Sequence, residues 1–302
     1  MQFTQTTDLP VYSEKDWRNF VFFSANVQHL LDVRVLATQQ KLYLAVCSFA
    51  ARQAEADMDT FHFLDETFWL SPPDNPAFIL TFHFGHYRAI PIFLVRLGYK
   101  LCIPVSKDVM AQQLAYYTAQ LGDSWKEQVL FLEAEDPHLF FKLRRHMDQG
   151  YHVLCYLDGG TGASIETSNH KLTEIPFLNG SIRLQQGIVD MAWLLQKKIN
   201  TLLAEMPDEQ NGLTIRTLDY CDTKWYGDRK VFTNYYIKSI YLDFENVLLQ
   251  HPEGWEAWLY LHKSMSPDSD ERRWTTDQRI ILFKNQGQQL LLDKYTYLSY
   301  VL

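Results

Sequence analysis

Two histidines and a glycine follow a strongly apolar run in the first third of the chain. That run, residues 77–82, ends in His83-Phe84-Gly85-His86, and a second apolar stretch begins at once. A histidine titrates near neutral pH, so at a strand end it can act as a general base on a hydroxyl or an amine. Gly85 allows a tight backbone turn there. From the spacing alone, His83 is either a catalytic base or a capping or core residue.

A second polar stretch, rich in glycine, follows the apolar run at 153–157. Its members are Asp158, Gly159, Gly160, Thr161 and Gly162. Glycines in such a stretch expose backbone N–H groups that can hold an anion or an acyl oxygen. The stretch does not match GxGxxG, and no GxxxxGK[ST] occurs in the chain, so the sequence does not indicate nucleotide binding.

Strands and helices are predicted to alternate around both stretches. Apolar runs predict strands at 77–82, 100–105, 129–132, 152–157 and 200–204. Helices are predicted at 86–97, 108–121 with Asp108 as the N-cap, 137–148 and 187–198. This alternation predicts an α/β fold with a mostly parallel central sheet flanked by helices. In such sheets functional groups collect beyond the carboxyl ends of the strands, where both stretches lie.

We expect three regions along the chain. Residues 1–75 form an N-terminal helical segment packed on the core, and a breaker rich in proline occupies 71–76. Residues 76–264 form the α/β core. Residues 265–302 form a C-terminal β-hairpin extension, with strands at 279–284 and 290–301.

Composition excludes several classes of function. The 302 residues carry a formal charge of −8, which argues against general binding of nucleic acid or anionic membranes. The four cysteines lack metal-binding spacing, so we expect free thiols in a reducing compartment and no metal site. The N-terminus does not look like a signal peptide, and no apolar run reaches the roughly 18 residues of a transmembrane helix. A soluble, cytoplasmic protein is therefore predicted.

The stretch FILTFHFGHYRAIPIFLVRLGYKLCIPV, residues 78–105, resembles the core of the late lipid A acyltransferases, a branch of the lysophospholipid acyltransferase-like superfamily. Three further stretches resemble that family in the right order. FFKLRRHMDQG leading into YHVLCYLDGGTGA resembles a helix, a strand and an acidic loop with glycines. EIPFLNGSIRLQQGIVDMAWLLQKKINTLLAEM resembles a Pro-Phe-Gly segment, a helix and a strand, and HPEGWEAWLYLHK resembles the closing helix. The likeness covers roughly residues 15–264.

The resemblance implies transfer of an acyl group from a thioester to a hydroxyl or an amine. In the family's H-x4-D/E motif the histidine deprotonates the acceptor and the acidic residue supports the imidazolium. His83 matches the histidine, but the position of the acidic residue is occupied by Arg88. A guanidinium cannot accept the imidazole proton, and we expect a nearby one to lower the pKa of His83.

Three explanations for Arg88 remain open at the level of sequence. Another carboxylate, Asp158 first and Glu166 second, replaces the missing partner. Alternatively, the acceptor is an amine that His83 deprotonates without help, and Arg88 binds an acidic group of the substrate. In the third, the protein is a degenerate relative that binds without catalysis. His86 and the loop residues Gly159, Gly160 and Thr161 are further candidates for substrate contacts.

For the donor we expect a phosphopantetheine thioester, on an acyl or peptidyl carrier protein or on coenzyme A, with no bound cofactor. Carrier proteins are acidic, so a docking surface needs basic residues. Lys142, Arg144 and Arg145 share one predicted helix and are the docking candidates, although an ordinary solvated face explains them equally well. The acceptor is a small molecule or a peptide, and the group transferred is acyl or aminoacyl.

The sequence leaves two alternatives to a transferase open. A binding or scaffold protein that has lost turnover would account for Arg88. A thioesterase would use water as the acceptor, but the G-x-S-x-G elbow of the usual thioesterases is absent from the sequence.

Overall fold

A computed structural model describes residues 13–55, 63–66, 70–122, 124–159, 172–205, 213–265 and 275–302. Its helices are α1 (Glu14–Leu31), α2 (Leu36–Glu55), α3 (Ala89–Arg96), α4 (Lys107–Leu121), α5 (Leu139–Asp148), α6 (Gly187–Leu194), α7 (Arg229–Leu248) and α8 (Thr276–Arg279). Its strands are β1 (Phe63–Glu66), β2 (Phe78–Thr81), β3 (Lys100–Val105), β4 (Val129–Glu133), β5 (Tyr151–Tyr156), β6 (Leu172–Phe177), β7 (Gly180–Gln185), β8 (Lys198–Ala204), β9 (Leu213–Asp222), β10 (Ile280–Asn285), β11 (Gln288–Asp293) and β12 (Leu298–Val301).

Seven strands form the central sheet in the order β1-β9-β8-β2-β5-β3-β4. The strands β8, β2, β5, β3 and β4 are parallel to one another. Strand β9 is antiparallel to β8, and β1 is parallel to β9, so these two run in the opposite direction. The predicted fold class, α/β with a mostly parallel sheet flanked by helices, is confirmed.

Both faces of the sheet are covered. Phe78 and Leu80 of β2 point into a core shared with α1, α2, α5, α6 and α7, whereas Ile79 points into a second core under α3 and α4. Because successive side chains of a strand point to opposite faces, a strand buried on both faces must be apolar throughout. This is why the run before His83 shows no polar alternation.

Several predicted element bounds need correction. The N-cap of α4 is Ser106, and Asp108 lies inside the first turn, so the predicted cap is wrong; an acidic side chain is still favourable there because it faces the positive end of the helix dipole. Helix α6 ends at Leu194, because the chain enters β8 at Lys198. The segment predicted as the family's closing helix consists of three short 3-10 helices between Pro252 and Lys263.

The C-terminal region is a three-stranded antiparallel sheet, β10-β11-β12, and not the predicted two-stranded hairpin. The predicted second strand is interrupted after Asp293, where Tyr297 adopts a positive φ of 59° in the turn before β12. Asp293 accepts hydrogen bonds from the Arg279 guanidinium at 2.7 Å, which ties the turn to the start of β10. The division of the chain into three regions stays a prediction.

All four cysteines are free thiols, as predicted. Burial raises the pKa of the Cys102 and Cys221 thiols to about 12, so both are protonated at neutral pH. No helix in the described ranges combines the length and apolar character that crossing a membrane requires.

Candidate active site

Strands β2 and β5 are neighbours in the sheet and end at the same level, with Thr81 opposite Tyr156. Each strand is followed two residues later by a polar side chain, His83 after Thr81 and Asp158 after Tyr156. Because parallel strands deliver their carboxyl ends to one edge of the sheet, residues 75 positions apart in sequence become direct neighbours. The structure therefore brings His83 and Asp158 together.

The Asp158 carboxylate accepts hydrogen bonds from three donors. The ring N–H at His83 Nδ1 donates to Oδ1 over 2.9 Å, and the His83 main-chain N–H lies 3.0 and 2.9 Å from the two oxygens. The Trp255 indole N–H donates to Oδ2 over 2.6 Å. The side chain of Asp158 is only 2 % exposed, whereas that of His83 is 21 % exposed. The carboxylate is sequestered and the imidazole is reachable from solvent.

These contacts define the tautomer of His83. An ionised carboxylate only accepts hydrogen bonds, so Nδ1 carries the proton and Nε2 of the neutral ring keeps its lone pair. Burial alone would lower the pKa of His83, but the charge and hydrogen bond of Asp158, with a contribution from Glu256, raise it above its ordinary value. The imidazole is thus a strengthened base with its free nitrogen directed away from Asp158.

Tyrosine rings surround the imidazole. Tyr156 stacks on His83 with ring centroids 4.4 Å apart, and Tyr87 and Tyr260 approach edge-on at 4.8 and 6.4 Å. The Tyr87 hydroxyl donates to Glu256 Oε2 over 2.8 Å. Burial, followed by the charge of Glu256, raises the pKa of Tyr87 far above its usual range, so this hydroxyl stays a donor.

The segment that supplies Trp255 is fixed to the turn after β2 by main-chain hydrogen bonds. The Gly85 N–H donates to the Gly254 carbonyl and the Glu256 N–H donates to the His83 carbonyl, both over 3.0 Å. Gly85 has a φ of +56°, and a Cβ there would lie 2.1 Å from the carbonyl oxygen of Ala204. Glycine is therefore required in the His-Phe-Gly turn for both conformation and space.

Arg88, at the position where the family has an acidic residue, contacts two tyrosines. Its Nε–H donates to the Tyr87 hydroxyl over 3.2 Å, and its guanidinium lies 5.5 and 5.2 Å from the ring centroids of Tyr87 and Tyr116. Arg88 does oppose protonation of His83, but this contribution is smaller than that of Asp158. The arginine therefore lowers the pKa of the histidine as expected, but Asp158 outweighs it and the net shift is upward.

His86 is buried, with 6 % of its surface exposed, and precedes α3 by three residues. Its ring packs edge-on against Phe49 of α2 at 5.4 Å. Burial, with help from the positive charge of Arg52, lowers the pKa of His86 to about 4, so the ring is neutral near pH 7. The suggested contact of His86 with substrate stays a prediction.

The glycine loop after β5 is described only at its start. A Cβ on Gly159 would lie 3.8 Å from His83 Cε1, which places this backbone beside the imidazole. Gly160, Thr161 and the weaker carboxylate candidate Glu166 lie outside the described residues. Within those ranges no group of three or more His, Cys, Asp or Glu residues has the arrangement of a metal site.

The docking candidates Lys142, Arg144 and Arg145 are exposed on α5. Lys142 forms an ion pair with Asp136 in the turn before the helix. Phe141 lies among them with 65 % of its surface exposed. The buried face of the same helix consists of Leu139, Leu143 and Met147.

Trp255 and Glu256 belong to the site, and sequence reasoning did not assign them a role. Trp255 lies 97 residues from Asp158 in sequence, and it reaches the carboxylate because an isolated β-bridge pairs it with Phe84. Tyr156 was also missed, because within an apolar strand it reads as core. In the sequence these two residues stand out only as the Trp-Glu pair of HPEGWEAWLYLHK, and the position of that pair in the sequence does not indicate contact with His83.

No protein-family model matches the chain, and no curated protein matches it. Among solved structures, the chain is similar to the crystal structure of the 1-acyl-sn-glycerophosphate (LPA) acyltransferase PlsC from Thermotoga maritima. The match has 12 % identity and a TM-score of 0.38 and covers 78 % of this chain and 97 % of that chain. The fold class follows from the strand topology.

Proposed function

We propose that the protein is an acyltransferase that moves an acyl or aminoacyl group from a thioester to a hydroxyl or an amine, with His83 as the general base. One observation carries the proposal: His83 Nδ1 is hydrogen-bonded to the buried carboxylate of Asp158, while the ring remains partly exposed at the carboxyl edge of the sheet. This is the arrangement that a general base requires, with one nitrogen oriented by an acid and the other available to the substrate.

In the proposed reaction, the acceptor O–H or N–H donates to Nε2 of His83. As the acceptor attacks the thioester carbonyl, its proton moves to Nε2, and Asp158 stabilises the imidazolium that forms. The tetrahedral intermediate then expels the thiolate, which takes the proton from Nε2 as the C–S bond breaks. Because no Ser, Thr or Cys side chain of the described residues hydrogen-bonds to His83, we propose direct transfer without a covalent acyl-enzyme.

In this proposal Asp158 stabilises the imidazolium of His83, which is the role that the resemblance gives to an acidic residue at position 88. Under this proposal the arginine is free for another task, and we assign it to recognition of a negative charge on donor or acceptor. Its Nε–H donates to Tyr87, so a substrate anion would bind the terminal N–H groups of the guanidinium, which lies over the Tyr116 ring.

We further propose that the donor thioester is presented by an acidic carrier protein that docks on α5. Arg144 and Arg145 are exposed there, and Phe141 offers an apolar contact between them and Lys142. Basic side chains around an exposed aromatic residue suit a partner with an acidic helix. Charge reversal of Arg144 and Arg145 should raise the KM for carrier-bound donor and leave transfer from a coenzyme A thioester unchanged.

Mass spectrometry of a loaded carrier protein tests the function. The carrier, charged with acyl or aminoacyl thioesters, is incubated with the protein and a pool of small amines and alcohols, beside the His83→Ala variant. A new ester or amide that depends on His83 supports the transferase. Conversion to free acid would indicate a thioesterase instead, and an intact thioester across a broad panel of donors would contradict catalysis.

A further inference from the structure

Helix α7 has two apolar faces. One is buried in the main core through residues such as Phe232, Tyr236 and Phe244. On the opposite side, four large apolar side chains face solvent, and their exposed fractions are 64 % for Val231, 58 % for Tyr235, 60 % for Leu242 and 60 % for Leu249. Leu249 caps the helix but keeps helical φ and ψ of −66° and −26°, so it continues the same row.

The spacing of these side chains places them in one row along the helix. Successive members are separated by four, seven and seven positions. At roughly 100° per residue they fall within about 40° of one line along the helix, over a length of about 27 Å. Scattered exposed apolar residues are normal, but a row of them along one helix face marks an interaction surface. The seven-residue spacing is that of one of the two core positions of a heptad, and Lys238 and Glu245 lie close to the other.

We propose that this row binds the same row of a second copy of the chain, with the two α7 helices antiparallel. Leu242 lies midway between Tyr235 and Leu249, seven positions from each. In an antiparallel pair with its two-fold axis at Leu242, this residue meets Leu242 of the partner subunit, and Tyr235 meets Leu249 of the partner subunit. The part of the row from Tyr235 to Leu249 is therefore complementary to itself, as an isologous interface requires, whereas Val231 lies beyond the end of the partner's helix α7.

Two charged residues favour the antiparallel orientation. Lys238 lies about 6 Å before Leu242 along the helix axis and Glu245 about 4.5 Å after it, both on the same flank of the row. A two-fold axis perpendicular to the helices brings equal flanks together, so Lys238 faces Glu245 of the partner subunit in two symmetric pairs. In a parallel pair opposite flanks meet, and these charges would not face each other.

The two side chains differ in exposure, because Glu245 is half-buried. Lys238 is exposed, and Glu245 uses one carboxylate oxygen to accept the Leu178 N–H over 2.6 Å.

The apolar row is of the size of a large patch on a monomer, about 300–600 Å², and the flanking polar residues extend it toward the roughly 800 Å² per partner of a standard interface. We therefore expect a dimer whose population depends on protein concentration. This proposal is independent of the proposed chemistry.

Sedimentation velocity of the full chain over a concentration series tests the dimer. Wild type should shift from monomer to dimer, and Leu242→Glu, which opposes two carboxylates on the two-fold axis, should raise the dimer Kd by roughly 100-fold or more. The matched control is Leu114→Glu, an exposed leucine of α4 on the other side of the sheet, which should leave the Kd unchanged. A monomer at all concentrations, or equal effects of the two variants, would overturn the proposal.

Cysteine cross-linking tests the register. Under oxidation Leu242→Cys should form a disulfide-linked dimer, because position 242 meets itself, whereas Tyr235→Cys alone should not. The Tyr235→Cys variant should cross-link when mixed with Leu249→Cys. Cross-linking of Tyr235→Cys with itself would instead indicate a parallel pair and would refute the antiparallel arrangement.

Charge reversal provides a second test of orientation. Lys238→Glu and Glu245→Lys should each raise the Kd about tenfold or more as separate proteins, and an equimolar mixture should recover the wild-type affinity as a heterodimer. Circular dichroism checks whether Glu245→Lys is folded, because this variant loses the bond to the Leu178 N–H. A mixture no tighter than its components would contradict the pairing of these two residues.

Discussion

Replacing Asp158 with asparagine removes one negative charge and almost no volume, yet its effect on His83 should be large. In the wild type, Oδ1 accepts from the Nδ1–H of His83 and Oδ2 accepts from the Trp255 indole N–H. An asparagine offers one oxygen and one NH2 group, so its NH2 must face one of these two donors. The orientation that asparagine adopts decides the outcome.

If the NH2 group faces Trp255, two buried donors oppose each other, at a cost of about 1–3 kcal/mol, because an indole has no other tautomer. If it faces His83, the imidazole relieves the conflict by moving its proton from Nδ1 to Nε2. The second orientation is the less costly one. The proton then occupies the nitrogen that must accept it from the substrate, so the base is lost, and the transfer rate should fall by about 10²–10⁴-fold.

The assay is the single-turnover rate of thioester consumption with saturating acceptor, measured for wild type, Asp158→Asn and the surface control Asp74→Asn. Nitrogen NMR of His83 reports the tautomer independently of the rate. The reasoning is refuted if Asp158→Asn loses less than about tenfold in rate, or if its Nδ1 still carries the proton while activity is abolished.

Three further predictions address the same site. Because the pKa of His83 is raised, the transfer rate should rise with pH through a value above about 6.5. The contribution of the His83–Asp158 pair to stability should be complete below about pH 6.5 and should be lost as pH rises through the folded-state pKa. A transfer rate that rises with a midpoint below pH 6 would contradict this. Trp255→Phe removes a hydrogen bond to a buried carboxylate and should lower the free energy of unfolding by about 1.5–3 kcal/mol in urea titrations, with a smaller rate loss than Asp158→Asn. Gly85→Ala places a Cβ against the Ala204 carbonyl at positive φ and should cost about 2–5 kcal/mol in the same titration, whereas an unchanged midpoint would show that the turn can relax.

The central strands could be predicted from the sequence because burial on both faces leaves a continuous apolar run. The bounds of β3 agree with the prediction, and those of β2 and β5 agree to within one residue at each end. The error at the C-terminus has a local cause: apolar and aromatic residues recur between Leu290 and Val301, but the turn held by Asp293 interrupts the strand. Such a turn depends on a contact with Arg279 that periodicity does not reveal.

The candidate site was only partly predictable for a similar reason. Strand-end positions indicated His83 and the loop starting at Asp158, because the rule for parallel sheets locates both at one edge. Their contact depends on which strands are neighbours, and in this sheet β5 lies directly beside β2 although two strands separate them in sequence. Trp255 approaches through a single β-bridge from a distant segment, and no repeating pattern encodes that approach.

Chemical rescue of His83→Ala tests the central claim most directly. Removing the imidazole should reduce the single-turnover transfer rate by about 10²-fold or more, and added imidazole should restore part of it, with a pH dependence set by the pKa of free imidazole. The same imidazole should leave wild type unchanged. A variant that transfers the acyl group at close to the wild-type rate would contradict the assignment of His83 as the general base.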